Sequence, residues 1–258
     1  MEDFCQHSLA LEMSYDGSGF SGFAVQPGQH TVQGSLNDAL ELLYKRAIET
    51  VCAGRTDAGV HARRQVVSMN LSAEEFLVRD MVSLKRSLNA LIDDKAVVTN
   101  IEERQAGFSA RFDAKAREYR YFLSLSESRP ILLNDWVWHL GKPLDIDAMR
   151  KGGAYLLGEH DFKSFCVSAS AEGKPTRRKL IELSLEKEEF LAEEVVVIKV
   201  VGSSFLHSMV RTIVGTLVAV GLGKYPPEWV EQVLDARQRS AAGQTAPAKG
   251  LILWQVFY

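Results

Sequence analysis

Two periodicities of apolar residues divide this chain into strands and helices. Leu9-Ala10-Leu11-Glu12-Met13-Ser14-Tyr15 is a short apolar run that stops at Asp16-Gly17-Ser18-Gly19, so it reads as a strand ending in a turn. After a loop through Pro27-Gly28, Thr31-Val32-Gln33 opens a helix whose Leu36, Leu40 and Leu43 fall at helical spacing. Glu49 to Cys52 and Gln65 to Asn70 read as strands, Val78 to Leu91 as a helix and Val97 to Ile101 as a strand. A second series begins near Gly107. Arg117 to Leu125 alternates, with Tyr119, Tyr121 and Leu123 on one face. Asp147 to Leu157 predicts a helix closed by Gly158. Leu180 to Leu185 and Val195 to Val201 predict strands joined by an acidic turn region, followed by an apolar helix from Ser204 to Val220, a short helix from Pro227 to Ala236 and a strand from Leu251 to Tyr258.

Both halves therefore run strand, helix, strands, helix, strand. The pattern predicts an α+β fold of two similar subdomains facing each other, each a mixed or antiparallel sheet with helices, over residues 1–106 and 107–258. Phe205 to Leu222 raises the question of a membrane span. His207 and Arg211 interrupt it, and its unbroken part falls well short of the roughly 20 residues a span needs, so a buried core helix is expected and no membrane association.

Composition narrows the class without naming a function. An apolar fraction of 46% and a charged fraction of 24% are those of an ordinary soluble domain. The net charge of -3 gives no sign of a nucleic-acid partner, but bases cluster locally at Lys45-Arg46, Arg63-Arg64, Lys85-Arg86, Lys115-Arg117-Arg120 and Lys174-Arg177-Arg178-Lys179. Each cluster alone reads as a solvated face. Cys5, Cys52 and Cys166 form neither a disulfide framework nor a zinc spacing, which suits a reducing cytoplasm. Glu2 and Asp3 show no leader pattern, so none is expected.

The run Gly54-Arg55-Thr56-Asp57-Ala58-Gly59-Val60-His61 carries the clearest chemistry. Two glycines permit a tight loop that presents one carboxylate, and Arg55 two residues away would hold Asp57 ionised and oriented. His61 could pair with Asp57 on a metal, but no third ligand lies nearby in sequence. Arg211 in an apolar helix needs an anion, either for a structural ion pair or for catalysis; His207, on its face, suits a satisfied core histidine. Tyr119 taken alone suits core packing.

Together these fragments resemble the TruA-type tRNA pseudouridine synthases over nearly the whole chain. The motifs come in the family's order: Tyr15-Asp16-Gly17, Phe20-Ser21-Gly22-Phe23 and Thr31-Val32-Gln33, then Gly54 to Ala62 and Arg117-Glu118-Tyr119-Arg120-Tyr121. Asp161-Phe162-Lys163-Ser164-Phe165, Phe205 to Arg211 with Ile213 to Leu217, and Ala246 to Leu251 complete the set. Ala24 and the pair Arg63-Arg64 depart from the family's usual residues.

The resemblance implies isomerisation of uridine to pseudouridine in the tRNA anticodon stem-loop, at tRNA positions 38, 39 and 40, with no metal or cofactor. It implies a central RNA-binding cleft and a cytoplasmic homodimer. Asp57 would be the essential carboxylate, acting on the sugar, on the base or as a proton acceptor. Tyr119 would stack on the uracil, Arg211 would be the buried basic partner, and Arg55 would fill the space left by the flipped nucleotide. Arg63, Arg117, Arg177 and Arg178 would hold substrate. Two rivals are an RNA-binding module of the same fold without chemistry and a metal-dependent hydrolase using Asp57 and His61.

Overall fold

The computed structural model describes residues 6–258; Glu2, Asp3 and Cys5 lie outside them. The chain is α+β and forms two compact units. The first holds the described residues up to Lys115 together with Leu253–Tyr258, and the second holds Ala116–Ile252.

In the first unit the strands are β1 (Gln6–Tyr15), β2 (Thr50–Cys52), β3 (His61–Ser72), β4 (Ala96–Arg104) and most of β10 (Leu251–Phe257). Their order is β4-β1-β3-β10, with β2 on β3. β1 is antiparallel to both β3 and β4, with Leu11 opposite Val67 and Ile101. Leu9, Leu11 and Met13 of β1 are wholly buried, as are Leu36 and Leu40 of helix α1 (Val32–Tyr44). Thr31 caps α1, its hydroxyl accepting the Gly34 N–H at 3.1 Å. The helix expected over Val78 to Leu91 is α3 (Met81–Leu91), and a short helix the pattern does not show, α2 (Ala73–Val78), precedes it. Arg79 is extended, and Asp80 restarts the chain as an N-cap whose carboxylate accepts from Ser83 N–H. α3 packs on β4 and α1 through Leu84 and Leu88.

The second unit orders its strands β5-β9-β8-β7: β5 (Ala116–Ser124), β9 (Glu193–Gly202), β8 (Arg177–Phe190) and β7 (Gly158–Asp161), with the two-residue β6 (Trp138–His139) parallel to β5. The acidic run Glu186 to Glu189, expected in a turn, is strand. The hairpin instead turns at Leu191 and Ala192, both at positive φ. Helices α4 (Ile146–Ala154), α5 (Ser168–Ala171), α6 (Met209–Gly221) and α7 (Trp229–Ala236) complete the unit. Eleven residues of α6 are buried, leaving only Arg211 and Ala219 outside the core, so α6 is a core helix apolar on nearly every side. Among the described residues no helix is long and apolar enough to cross a membrane.

Residues 107–115 go with the first unit. Gly107 N–H donates to Ser8 Oγ at 3.0 Å, Ala110 N–H to Ser68 Oγ at 3.0 Å and Lys115 N–H to Phe257 O at 2.8 Å. These bonds hold residues 107–115 and the returning C-terminal strand on the first sheet.

Candidate active site

The Asp57 loop grows from the β2–β3 hairpin of the first unit. Cys52 faces Val67 in register, and Ala53 N–H still reaches Val66 O at 2.8 Å before the chain leaves the ladder. Gln65, wholly buried, donates from Nε2 to Gly54 O at 2.6 Å and to Tyr15 Oη at 3.4 Å. The Tyr15 hydroxyl lies 2.8 Å from Thr56 Oγ1, and Thr56 O accepts the Phe23 N–H at 3.1 Å. On the other side, Val60 N–H closes on Asp57 O at 3.1 Å, with Gly59 at φ 76°. The backbone around Asp57 is thus fixed at both sides, and its side chain is half-buried.

Two glycines let the neighbouring segments approach this closely. A Cβ on Gly17 would stand 2.1 Å from Val60 O, and one on Gly22, at φ +105°, would stand 3.1 Å from Thr56 O. Both glycines lie in motifs that the sequence resemblance singles out, and packing against the carboxylate loop is their physical reason.

Arg55 does not pair with Asp57. It is exposed and, among the described residues, forms no ion pair. His61 is wholly buried at the loop's base. Its Nδ1 lies 3.1 Å from both the Gly17 N–H and Asp16 Oδ1. The first contact needs Nδ1 as an acceptor and the second needs it protonated, so the two neighbours compete for one nitrogen. Burial works against ionisation of Asp16, but hydrogen bonds from Ser18 and the charges of His61 and Lys95 outweigh it and hold the carboxyl below its ordinary value. His61 therefore serves the Asp16 turn through Nδ1.

Burial pushes the Cys52 thiol up to about 11, against the pull of Arg55 and Arg111. Arg111 thus stands near the root of the same loop. It escapes sequence inspection because the residues that bring it there, Ala110 and Ser68, are far apart in the chain. Arg63 is exposed and lies over the Trp254 ring, 4.8 Å from the centroid, and Arg64 pairs with Glu12 at 2.8 Å.

The remaining candidates belong to the second unit. Tyr119 sits on β5 opposite Val200, 6% exposed, its ring meeting Phe205 edge-on at 5.0 Å. Arg117 is buried, donating from Nη1 to Ser203 O at 2.7 Å, which leaves it little surface to offer a ligand. Arg177 is exposed and pairs with Glu159 at 3.0 Å; Arg178 is half-buried and bonds only backbone carbonyls.

Arg211 lies in the first turn of α6, not in mid-helix, because Ser208 takes a left-handed conformation at φ 58° and delays the start. Its Nε donates to Ala246 O at 2.8 Å while Ala246 N–H donates to Arg211 O at 3.1 Å. One turn on, a Cβ on Gly215 would stand 1.8 Å from Gln244 O, so that glycine admits the strap holding Arg211. The guanidinium reaches β5 electrostatically: burial raises the Tyr121 hydroxyl's pKa, and Arg211 opposes that rise. His207, expected in the core, is exposed and precedes the helix. A cation at the positive end of a helix dipole asks for an anion.

A sequence profile described as tRNA pseudouridine synthase matches residues 154–258. The chain is 42% identical over 250 residues to a Thermotoga sp. (strain RQ2) protein named tRNA pseudouridine synthase A, covering 97% of this chain and 99% of that one. It is 43% identical to the Brevibacillus brevis protein of the same name and 40% identical to that of a Geobacillus species, again over 97% of its length. A crystal structure of a Cbf5-Nop10-Gar1 complex aligns with 91% of this chain and 69% of its own at a TM-score of 0.35 and 11% identity, a likeness too slight to argue from.

Proposed function

This chain belongs to the tRNA pseudouridine synthase A family, and from that premise we propose that it isomerises uridine in the tRNA anticodon stem-loop, at tRNA positions 38, 39 and 40, with Asp57 as the essential carboxylate. The observation that carries the assignment of Asp57 is its setting. Tyr15, Gln65, Gly17 and Gly22 all fix the backbone of one short loop whose single acid is half-buried.

In the reaction the uracil N1–C1′ bond breaks and a C5–C1′ bond forms; C5 loses its proton and N1 ends with one. Every atom is retained and nothing is oxidised, so the balance calls for neither cofactor nor metal. An ionised Asp57 serves attack on C1′, addition to the ring or removal of a sugar proton alike. Tyr119 offers a ring face to the turning base, which fixes the plane without fixing the rotation. Arg211 supplies the cation that a charged carboxylate intermediate requires. Arg55, exposed and without an ion pair among the described residues, is suited to entering the stem once the target nucleotide leaves the stack. We assign the enzyme a cytoplasmic location and a homodimeric state, as the resemblance implies.

The test is Asp57→Asn, followed by release of hydrogen from uridine C5 in tRNA. Turnover should fall by more than the roughly 10²–10⁴-fold of a lost general acid, while folding and tRNA binding persist. Near-normal release would remove Asp57 from the chemistry. Activity that a chelator abolishes would remove the metal-free reading.

A further inference from the structure

The Asp161-Phe162-Lys163-Ser164-Phe165 run is part of the sequence resemblance, yet none of the chemistry above uses it. In the second unit it forms a knot. Phe162 and Phe165 are wholly buried, and the buried Ser164 Oγ accepts the Gln238 N–H at 2.9 Å. Phe162 N–H donates to Thr176 O at 3.1 Å. Asp161 Oδ1 accepts from Lys163 N–H at 3.1 Å and from the Thr176 hydroxyl at 2.5 Å, while Oδ2 lies 3.7 Å from Arg237 Nε. Two nearby stretches and a third far along the chain are tied together, and they carry Lys163, Arg178, Arg237 and Arg239.

The charges of this knot do not balance. Asp161 is already engaged by Thr176, Lys163 N–H and Arg237. Arg239 donates to Gly243 O at 3.0 Å and to Thr245 Oγ1 at 2.8 Å, neither of them an anion. Arg178 donates from Nη1 to Pro175 O at 3.0 Å and Arg177 O at 2.6 Å, and its buried Nε has no hydrogen-bond partner among the described residues. Burial disfavours its charged form and lowers its pKa. The buried Cys166 thiol is pushed up by its burial and by Asp161, while Arg178, Lys163 and Arg239 pull against the rise, so three cations lie within electrostatic reach of one sulfur. A half-buried guanidinium without an acid is costly to keep. The chain has 33 acids against 30 bases, yet among the described residues no carboxylate is placed on Arg178, whereas its neighbour Arg177 has Glu159.

We infer that Lys163, Arg178, Arg237 and Arg239 form a phosphodiester-binding surface that holds the backbone of the substrate RNA rather than its reacting base. The guanidinium fork matches a phosphate, and a desolvated arginine gains most from receiving one. The inference rests on the function proposed above.

The experiment measures tRNA binding at several salt concentrations for wild type, for Lys163→Gln with Arg237→Gln, both exposed positions, and for Arg178→Gln beside Arg178→Lys. Lys142→Gln with Lys224→Gln, exposed elsewhere in the same unit, is the control. The exposed double variant should flatten log affinity against log salt by about 1.5, and raise KM roughly tenfold near 0.15 M salt, with kcat at saturating tRNA unchanged. Arg178→Lys should recover part of the slope that Arg178→Gln loses. A wild-type slope in the exposed double variant, alongside normal isomerisation by wild type, overturns the surface alone. A wild type that neither binds tRNA nor isomerises it overturns the proposed function as well.

Discussion

Arg211 and Ala219 are the residues of α6 that the core does not enclose, and Arg211 is placed where the helix dipole opposes a positive charge. The Ala246 strap holds it there. Arg211→Met loses the Nε bond to Ala246 O and should lower the melting temperature slightly, while turnover falls roughly 10²–10³-fold, the cost typical of a lost electrostatic stabiliser. Arg211→Lys should retain part of the rate, since it keeps the charge and loses the planar fork. Single-turnover rates and thermal melts read both; full activity in the Met variant would leave Arg211 a purely structural task. The residue itself was legible in the sequence as a cation in an apolar stretch. Its place in the first turn was not, because a left-handed Ser208 has no compositional signal.

At the scale of elements, the strands and helices that carry strong periodicity were legible: β1, α1, β5, β9 and β10 all appear close to their expected bounds. Where a single backbone conformation decides, the pattern misled. The short helix α2 before Asp80 is not anticipated, and Leu191-Ala192 turns a hairpin without glycine or proline. The carboxylate loop is the converse case, since its glycines are legible but their partners are not. Gly17→Ala pushes a methyl into Val60 O and should cost about 1–3 kcal/mol. Gly22→Ala adds the strain of a positive φ. Both should lower the melting temperature and cut turnover by roughly 10²-fold, the penalty of a reacting group displaced by about 1 Å. Gly28 also has a positive φ, but nothing lies within 4 Å of its would-be Cβ. Gly28→Ala should lower stability by about 1 kcal/mol and leave turnover intact. A Gly17→Ala enzyme of normal rate would detach loop packing from the chemistry.

On the scale of the whole chain, the contacts that attach residues 107–115 and the last strand to the first unit have no local signal. Ser8 and Ser68 reach forward to Gly107 and Ala110, and the last strand returns from the far end, all of them contacts between residues distant in sequence. Net charge is equally silent about the partner, because an RNA enzyme needs only a local excess of base. Under the proposed function the molecule takes a paired uridine out of a stem, at a cost of a few kcal/mol, and Arg55 is the residue proposed to offset that cost. Arg55→Ala leaves the Asp57 loop intact, since its hydrogen bonds come from Tyr15, Gln65 and Phe23 rather than from Arg55. The variant should therefore be slow mainly on stem uridines, which must be unpaired, and near normal on an unpaired loop uridine at position 38. Single-turnover rates on two matched RNAs, one with the target uridine paired and one with it unpaired, make the comparison. A tenfold or greater loss confined to the paired substrate is expected, the equivalent of about 1.4 kcal/mol of flipping energy. Equal losses on both would place Arg55 in the chemical step, and no loss on either would leave the flipped state to other residues.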